Sequence, residues 1–363
     1  MDISSKTESS LHLDANPCDI LSGFMAEERP ITIDEACALR HLLFGSLKSS
    51  FNAAWTEQSF HFRTVPAYGF IQKRAGPCGV LAGVQAHVIL ELLFGVSHID
   101  SNSGISKLKP AEKKEALARA MTSIMWKAGE NKRAIVVKKH NNIVLNTAMV
   151  PDILEPDGIL EYIITDTNAS CIYFLYSLIL TRGIEKIKQE MDYPDSHLIG
   201  TDGYCSQEVI NLILTGKAVP NLFDGDVELN SGGSETTLLR GISEQSKIGL
   251  LSLYEYQDTC TVGNNYKNPT YPIWIMLADS HFTVLFTTSK DILKKRRLNE
   301  PFILYHYDGL AKRHAETSYT IEPLANSSPS PKDKTLPVVV RCIHTRWPLA
   351  AVEINTNEEN NSD

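Results

Sequence analysis

The stretch that decides the fold is "QKRAGPCGVLAGVQAHVILELL", residues 72–93. A Gly76–Pro77 step ends a polar segment, and apolar residues then run almost unbroken from Cys78 to Phe94 before Gly95 closes the pattern. This predicts a buried helix over 78–94 with Cys78 in its first turn. The first turn of a helix has unpaired N–H groups and the positive end of the helix dipole, and both favour a thiolate over a thiol. A cysteine kept only for packing would sit as comfortably in the middle of the helix.

Around this helix the chain reads as one α+β domain over residues 30–350, with a flexible N-terminal tail at 1–29 and a disordered C-terminal tail at 351–363. "ITIDEACALRHLLFGS" starts with a capping box, Thr32 and Glu35, and ends at Gly45, so it is a helix. "KPAEKKEALARAMTSIMWKAGENK" is another, with Pro110 near its start and Gly129 near its end. "RAIVVKKHNNIVLNTA" reads as two strands around His140-Asn141-Asn142. "NASCIYFLYSLILTRGIEKIKQEMD" reads as one long buried helix and "CSQEVINLILTG" as a shorter one. From Gly249 the pattern changes to strands: "GLLSLYEY", "YPIWIMLADSHFTVLFTT", "PFILYHYDG" and "LPVVVRCIHTRWP". Segments 225–238 and 325–335 read as loops. Helices thus dominate the first half and a mainly antiparallel sheet the second.

Composition narrows the function. The 363 residues carry 35 basic and 43 acidic side chains, a formal net charge of -8. Nucleic acid and anionic membranes both reward a basic surface, so neither is the expected partner. The seven cysteines, at 18, 37, 78, 171, 205, 260 and 342, are widely spaced. They form neither a zinc pattern nor a disulfide framework. His61 and His140 have no second ligand at metal spacing, so no metal and no organic cofactor is expected. The N-terminal sequence lacks a secretory signal and the chain lacks a membrane-length apolar run. The expected setting is the cytoplasm or the nucleus.

Four residues form a chemical order. Cysteine hydrolases of the papain type place a nucleophile at a helix start, a histidine on a later strand, a polar oxyanion donor just before the cysteine, and a residue on the next strand that holds the imidazole. Here Cys78 opens the helix and Gln72 precedes it. His281 lies in "ADSHFTVLF", and Asp308 ends "LYHYD". Singly, each has a plain structural reading: an inert buried cysteine, a turn glutamine, a core histidine, a turn aspartate. Their joint order and context carry the functional reading. His306 shares the strand face of Asp308 and is a backup base. Cys205 also precedes a helix, but without a Gly-Pro entry or an upstream glutamine it reads as structural. "SGGSE" at 231–235 lacks the spacing of a phosphate loop, and "KKRR" at 294–297 reads as a solvated face.

"QKRAGPCGVLAGVQ" resembles the catalytic cysteine segment of the MINDY deubiquitinases, especially their longer-chain members. "IWIMLADSHFTVLF" followed by "LYHYDGL" resembles their histidine segment, and "GYCSQEVINLILTGKAVPNLFDGD" the stretch between the two. The likeness extends from about Ile31 to Trp347. Ala75 stands where the family often has glycine, and the Trp-Asn-Gly run of the C-terminal segment is absent. The resemblance implies a papain-like cysteine isopeptidase acting on polyubiquitin, with a preference for lysine-48 linkages. Cys78 would be the nucleophile, His281 the general base and Gln72 the oxyanion donor; Asp308 rests on the strand argument. The alternative is a catalytically silent protein that binds ubiquitin chains.

Overall fold

The computed structural model describes residues 27–95, 105, 107–139, 143–148, 163, 168–230, 236–294, 300–312, 315–325 and 333–355. Readings that fall on 1–26, 140–142, 231–235, 295–297, 326–332 and 356–363 lie outside the described residues.

Strand β1 (Glu27–Pro30) leads into helix α1 (Ile33–Phe44). The capping box forms: Thr32 Oγ1 accepts from the Glu35 N–H at 3.2 Å and the Glu35 carboxylate accepts from the Thr32 N–H at 2.9 Å. Gly45 stops α1 in the left-handed conformation, φ 66°. Helix α2 (Cys78–Phe94) is buried at every position from Cys78 to Leu90, which explains why it is apolar all round. Next come α3 (Pro110–Ala128), strands β2 (Ala134–Lys139) and β3 (Ile143–Ala148), and helices α4 (Ser170–Arg182), α5 (Ile184–Glu190) and α6 (Gln207–Thr215). Gly79 and Gly83 give α2 a flat face for α6. A Cβ at Gly79 would stand 2.3 Å from Ile210 Cδ1, and one at Gly83 would stand 2.8 Å from Ile213 Cγ2.

The second half supplies β4 (Val227–Asn230), β5 (Thr236–Leu239), β6 (Gly249–Ser252), β7 (Ile273–Ala278), β8 (His281–Phe286), β9 (Phe302–Tyr307) and β10 (Glu316–Glu322), then helix α7 (Val338–Arg346) and β11 (Ala351–Asn355). Strands β6 to β11 form one sheet in the order β11-β10-β9-β8-β7-β6. It is antiparallel except for the β6–β7 pair. The α+β class and the mainly antiparallel sheet are therefore as expected. Both sheet faces are buried, so β7 and β8 read as continuous apolar runs. Ile273, Ile275, Phe282 and Val284 pack in the core shared with α2. Trp274, Met276, Leu285 and Leu304 belong to a second core on the other face, with α7.

Several sequence readings need correction. The helix expected over 168–192 is two helices, broken at Gly183, φ 94°. "GLLSLYEY" is a strand only through Ser252; Leu253–Tyr256 is a helical turn. "LPVVVRCIHTRWP" is helix α7. Val340, Ile343, His344 and Trp347 are buried at spacings of a helical face, and that periodicity overrides the β-preference of three valines. Segment 225–238 contains the antiparallel β4–β5 pair rather than only loop. Edge strands also extend order past both expected boundaries. Glu27–Pro30 pairs with β3, and Ala351–Asn355, placed in the expected C-terminal tail, pairs with β10.

Candidate active site

The entry to α2 is sterically specified. Gly76 has φ 135°, a conformation open only to glycine, and a Cβ there would meet Ala54 at 3.3 Å and the Gly203 carbonyl at 3.4 Å. Pro77 takes the N-cap position and Cys78 is the first helical residue. Cys78 is 1% exposed. Its sulfur lies 3.9 Å from the carbonyl oxygens of Gly76 and Ser280.

Ser280 belongs to the turn that joins β7 to β8. Asp279 and Ser280 both have positive φ, 49° and 62°, and Ala278 pairs directly with His281. This two-residue hairpin places His281 as the first residue of β8, beside the sulfur. Asp308 follows the last residue of β9, the neighbouring strand. The register brings the two side chains together, with His281 Nε2 2.8 Å from Asp308 Oδ1. Asp308 Oδ1 also accepts from the Leu310 N–H at 2.9 Å.

Electrostatics follow from this contact. Burial opposes a charge on His281, but hydrogen bonding to Asp308 and Cys78, and the charges of both, outweigh it and raise its pKa to about 9. Burial likewise opposes the Asp308 carboxylate, and the hydrogen bond and charge of His281 reverse this and lower its pKa. Because Nε2 faces Asp308, Nδ1 is the ring nitrogen left for the thiol.

Gln72 is buried and shares a cavity of about 20 Å³ with Cys78. Its Nε2 donates to the Arg74 carbonyl at 2.8 Å, which fixes the amide plane and leaves the second amide hydrogen available. Its backbone N–H donates to the Gly309 carbonyl at 2.9 Å. All four expected residues therefore meet at one place.

The backup base His306 and the second helix-start cysteine, Cys205, also have places. His306 Nε2 lies 2.9 Å from Thr283 Oγ1, and burial lowers its pKa to about 4. It faces a hydroxyl of the adjacent strand instead of the thiol. The Cys205 sulfur lies against the first turn of α2, facing the Gly79 and Val80 N–H groups, and burial followed by the nearby Cys78 pushes its pKa up. Among the described residues, no group of three or more His, Cys, Asp or Glu side chains could hold a metal ion.

Two buried amides were missed by the sequence reading. Gln85, inside α2, accepts from the Phe70 N–H at 2.7 Å and donates to the Tyr68 carbonyl at 2.8 Å. Gln58 donates to the Ile71 carbonyl and accepts from the Lys73 N–H at 2.8 and 2.9 Å. Together they hold the backbone on both sides of Gln72. The signal for Gln85 was available: a lone amide in the middle of an all-apolar helix requires a buried partner.

Comparison with known proteins places the chain in a family. The model described as "Deubiquitinating enzyme MINDY-3/4, conserved domain" matches residues 40–167 and 157–356. The chain is 38% identical over 351 residues to the probable ubiquitin carboxyl-terminal hydrolase MINDY-4 of Homo sapiens, covering 91% of this chain and 46% of that protein. It is 35% identical over 355 residues to the Xenopus tropicalis protein of the same name, covering 92% and 47%. Identity to the ubiquitin carboxyl-terminal hydrolase MINDY-3 of Bos taurus is 31% over 274 residues, covering 64% and 59%. The chain thus spans about half the length of the MINDY-4 relatives. No solved structure matches it. The chain belongs to the MINDY-3/4 deubiquitinating enzyme family.

Proposed function

We propose that this chain is a cysteine-type deubiquitinase that hydrolyses isopeptide bonds in lysine-48-linked polyubiquitin, on a papain-like arrangement of a nucleophile helix packed against a sheet. The observation that carries the reading is the position of His281, bonded to Asp308 at 2.8 Å on one side and facing Cys78 on the other. With its pKa at about 9, His281 is an imidazolium at neutral pH, the form that remains after it has taken the thiol proton. The Cys78 sulfur attacks the carbonyl of a ubiquitin C-terminal glycine. The oxyanion is met by the Cys78 N–H and the free amide hydrogen of Gln72. His281 then gives its proton to the leaving lysine amine, and water hydrolyses the thioester. Asp308 keeps the imidazole in register throughout. The catalytic domain covers residues 30–350 together with the flanking strands β1 and β11.

The test is cleavage of lysine-48-linked chains by Cys78→Ala, His281→Ala and the double variant. Cys78 and His281 act as one unit, so each single change abolishes turnover and the second adds little. His306→Ala remains active. Substantial cleavage by Cys78→Ala overturns the nucleophile assignment, and chain binding without cleavage by the wild type leaves a silent chain-binding protein.

A further inference from the structure

Arg63 stands where the two halves of the site meet. Its Nε donates to Tyr307 Oη at 3.2 Å, and its Nη2 donates to the Gly309 carbonyl at 3.1 Å and to the Ala311 carbonyl. Tyr307 Oη donates to the Phe70 carbonyl at 2.6 Å. A Cβ at Gly69 would stand 2.3 Å from the Tyr307 ring, so the end of β9 lies directly on the segment that carries Gln72. The Gly309 carbonyl accepts from both Arg63 Nη2 and the Gln72 N–H. Gly309 lies between Asp308 and Leu310, whose N–H holds Asp308 Oδ1.

All partners of this guanidinium named above are neutral, so the contact is not an ion pair added for surface charge. Ordering an arginine costs side-chain entropy. A site requires its first contacts to be held by a supporting shell of hydrogen bonds. We propose that Arg63 is a positioning residue that locks the Gln72 segment to the Asp308 turn, so that one planar group sets both the oxyanion donor and the carboxylate that orients His281. This rests on the catalytic reading of Cys78 and His281 given above.

Arginine suits the task because its fork offers several donors in fixed directions. Lysine keeps the charge but presents a flexible point donor, unable to hold a hydroxyl and two carbonyls in one plane. Charge and geometry can therefore be separated. The groups that act on His281 are Asp308 from the end of β9 and Cys78 from α2, with His306 of β9 beside them and Asp279 in its own turn. Arg63 bonds the Tyr307 hydroxyl and the Gly309 and Ala311 carbonyls, so its link to Asp308 runs through the backbone of the turn.

The experiment uses the full chain as Arg63→Lys and as Tyr307→Phe, which keeps the ring and loses only the hydroxyl. The imidazole of His281 is titrated by NMR, with its signals assigned by their loss in His281→Gln. In Arg63→Lys the His281 midpoint falls by about 0.5 unit or more, because its carboxylate partner is no longer held in place. In the same variant kcat for chain cleavage falls about 10–10²-fold with KM nearly unchanged. Tyr307→Phe shifts both quantities less, in the same direction. A lowered Tm with an unmoved His281 midpoint and unchanged kcat in either variant overturns the proposal and leaves Arg63 a structural residue. If the wild type does not cleave chains, the catalytic reading falls, while the His281 midpoint still decides whether Arg63 positions Asp308.

Discussion

Replacing Asp308 by asparagine keeps the shape of the side chain and removes one charge, 2.8 Å from His281 Nε2. Two unit charges about 4 Å apart attract by about 4 kcal/mol at an effective dielectric constant of about 20. Both side chains are 26% exposed, which reduces that figure by screening. A loss of about 1.5–2.5 kcal/mol remains, or roughly one to two pKa units on the imidazole. His281, at about 9 in the wild type, should then titrate between roughly 7 and 8. The assay is the pH dependence of kcat/KM for cleavage of lysine-48-linked tetraubiquitin. Its basic limb reports loss of the imidazolium and moves to lower pH in Asp308→Asn. At about pH 8.5 the variant is about 3–25 times slower, and the gap narrows toward neutrality. Stability follows the same groups. The raised His281 pKa contributes stability that is full below 6.5 and lost as pH rises through about 9. The lowered Asp308 pKa contributes stability that is lost on acidification through its folded value. Asp308→Asn therefore costs stability most at mildly acidic pH, above the ordinary carboxylate range and below 6.5, where both contributions are full. A basic limb that stays in place would show that Asp308 does not hold the imidazolium.

Two other outcomes concern neighbouring positions. Gln72→Ala should lower turnover by about 10²–10³-fold with chain binding almost unchanged, and Gln72→Glu should be at least as harmful, since a carboxylate repels the oxyanion. Steady-state cleavage with binding measured separately decides this, and wild-type turnover in both variants removes Gln72 from the chemistry. Asp279 and Ser280 hold left-handed backbone without being glycine, so the double change to Asn-Gly should raise the denaturation midpoint by an amount equivalent to roughly 1–2 kcal/mol. A lower midpoint would mean that side-chain contacts at this turn outweigh its backbone strain.

The parts of this molecule legible in sequence were those decided by local chemistry. Thr32 and Glu35 capped a helix, Gly45 and Gly216 ended two, and Pro77 with Cys78 opened the central one. The four candidate residues were also legible, because Cys78, His281 and Asp308 lie at or beside the ends of elements and the chain order of all four matches a reaction. What escaped depended on tertiary context. Val338–Val340 prefer strands in isolation, yet α7 buries Val340 and Ile343 in the second core, and Trp347, just after it, packs on Trp274 and Phe302 of the sheet. Ala351–Asn355 looked like a tail because an edge strand needs only one partner, β10, and buries none of its residues fully. Arg63 and Gln58 bond backbone atoms of the segments that carry Asp308 and Gln72. Contacts of that kind leave no spacing rule in a sequence.

The most direct test of the central claim is the reaction of the full chain with ubiquitin carrying a thiol-reactive group at its C-terminus. The account predicts one covalent adduct per chain, mapped by peptide mass to Cys78 and absent in Cys78→Ala, while exposed Cys37 and buried Cys205 remain unmodified. No adduct from folded wild-type protein, or an adduct that persists in Cys78→Ala, would contradict it.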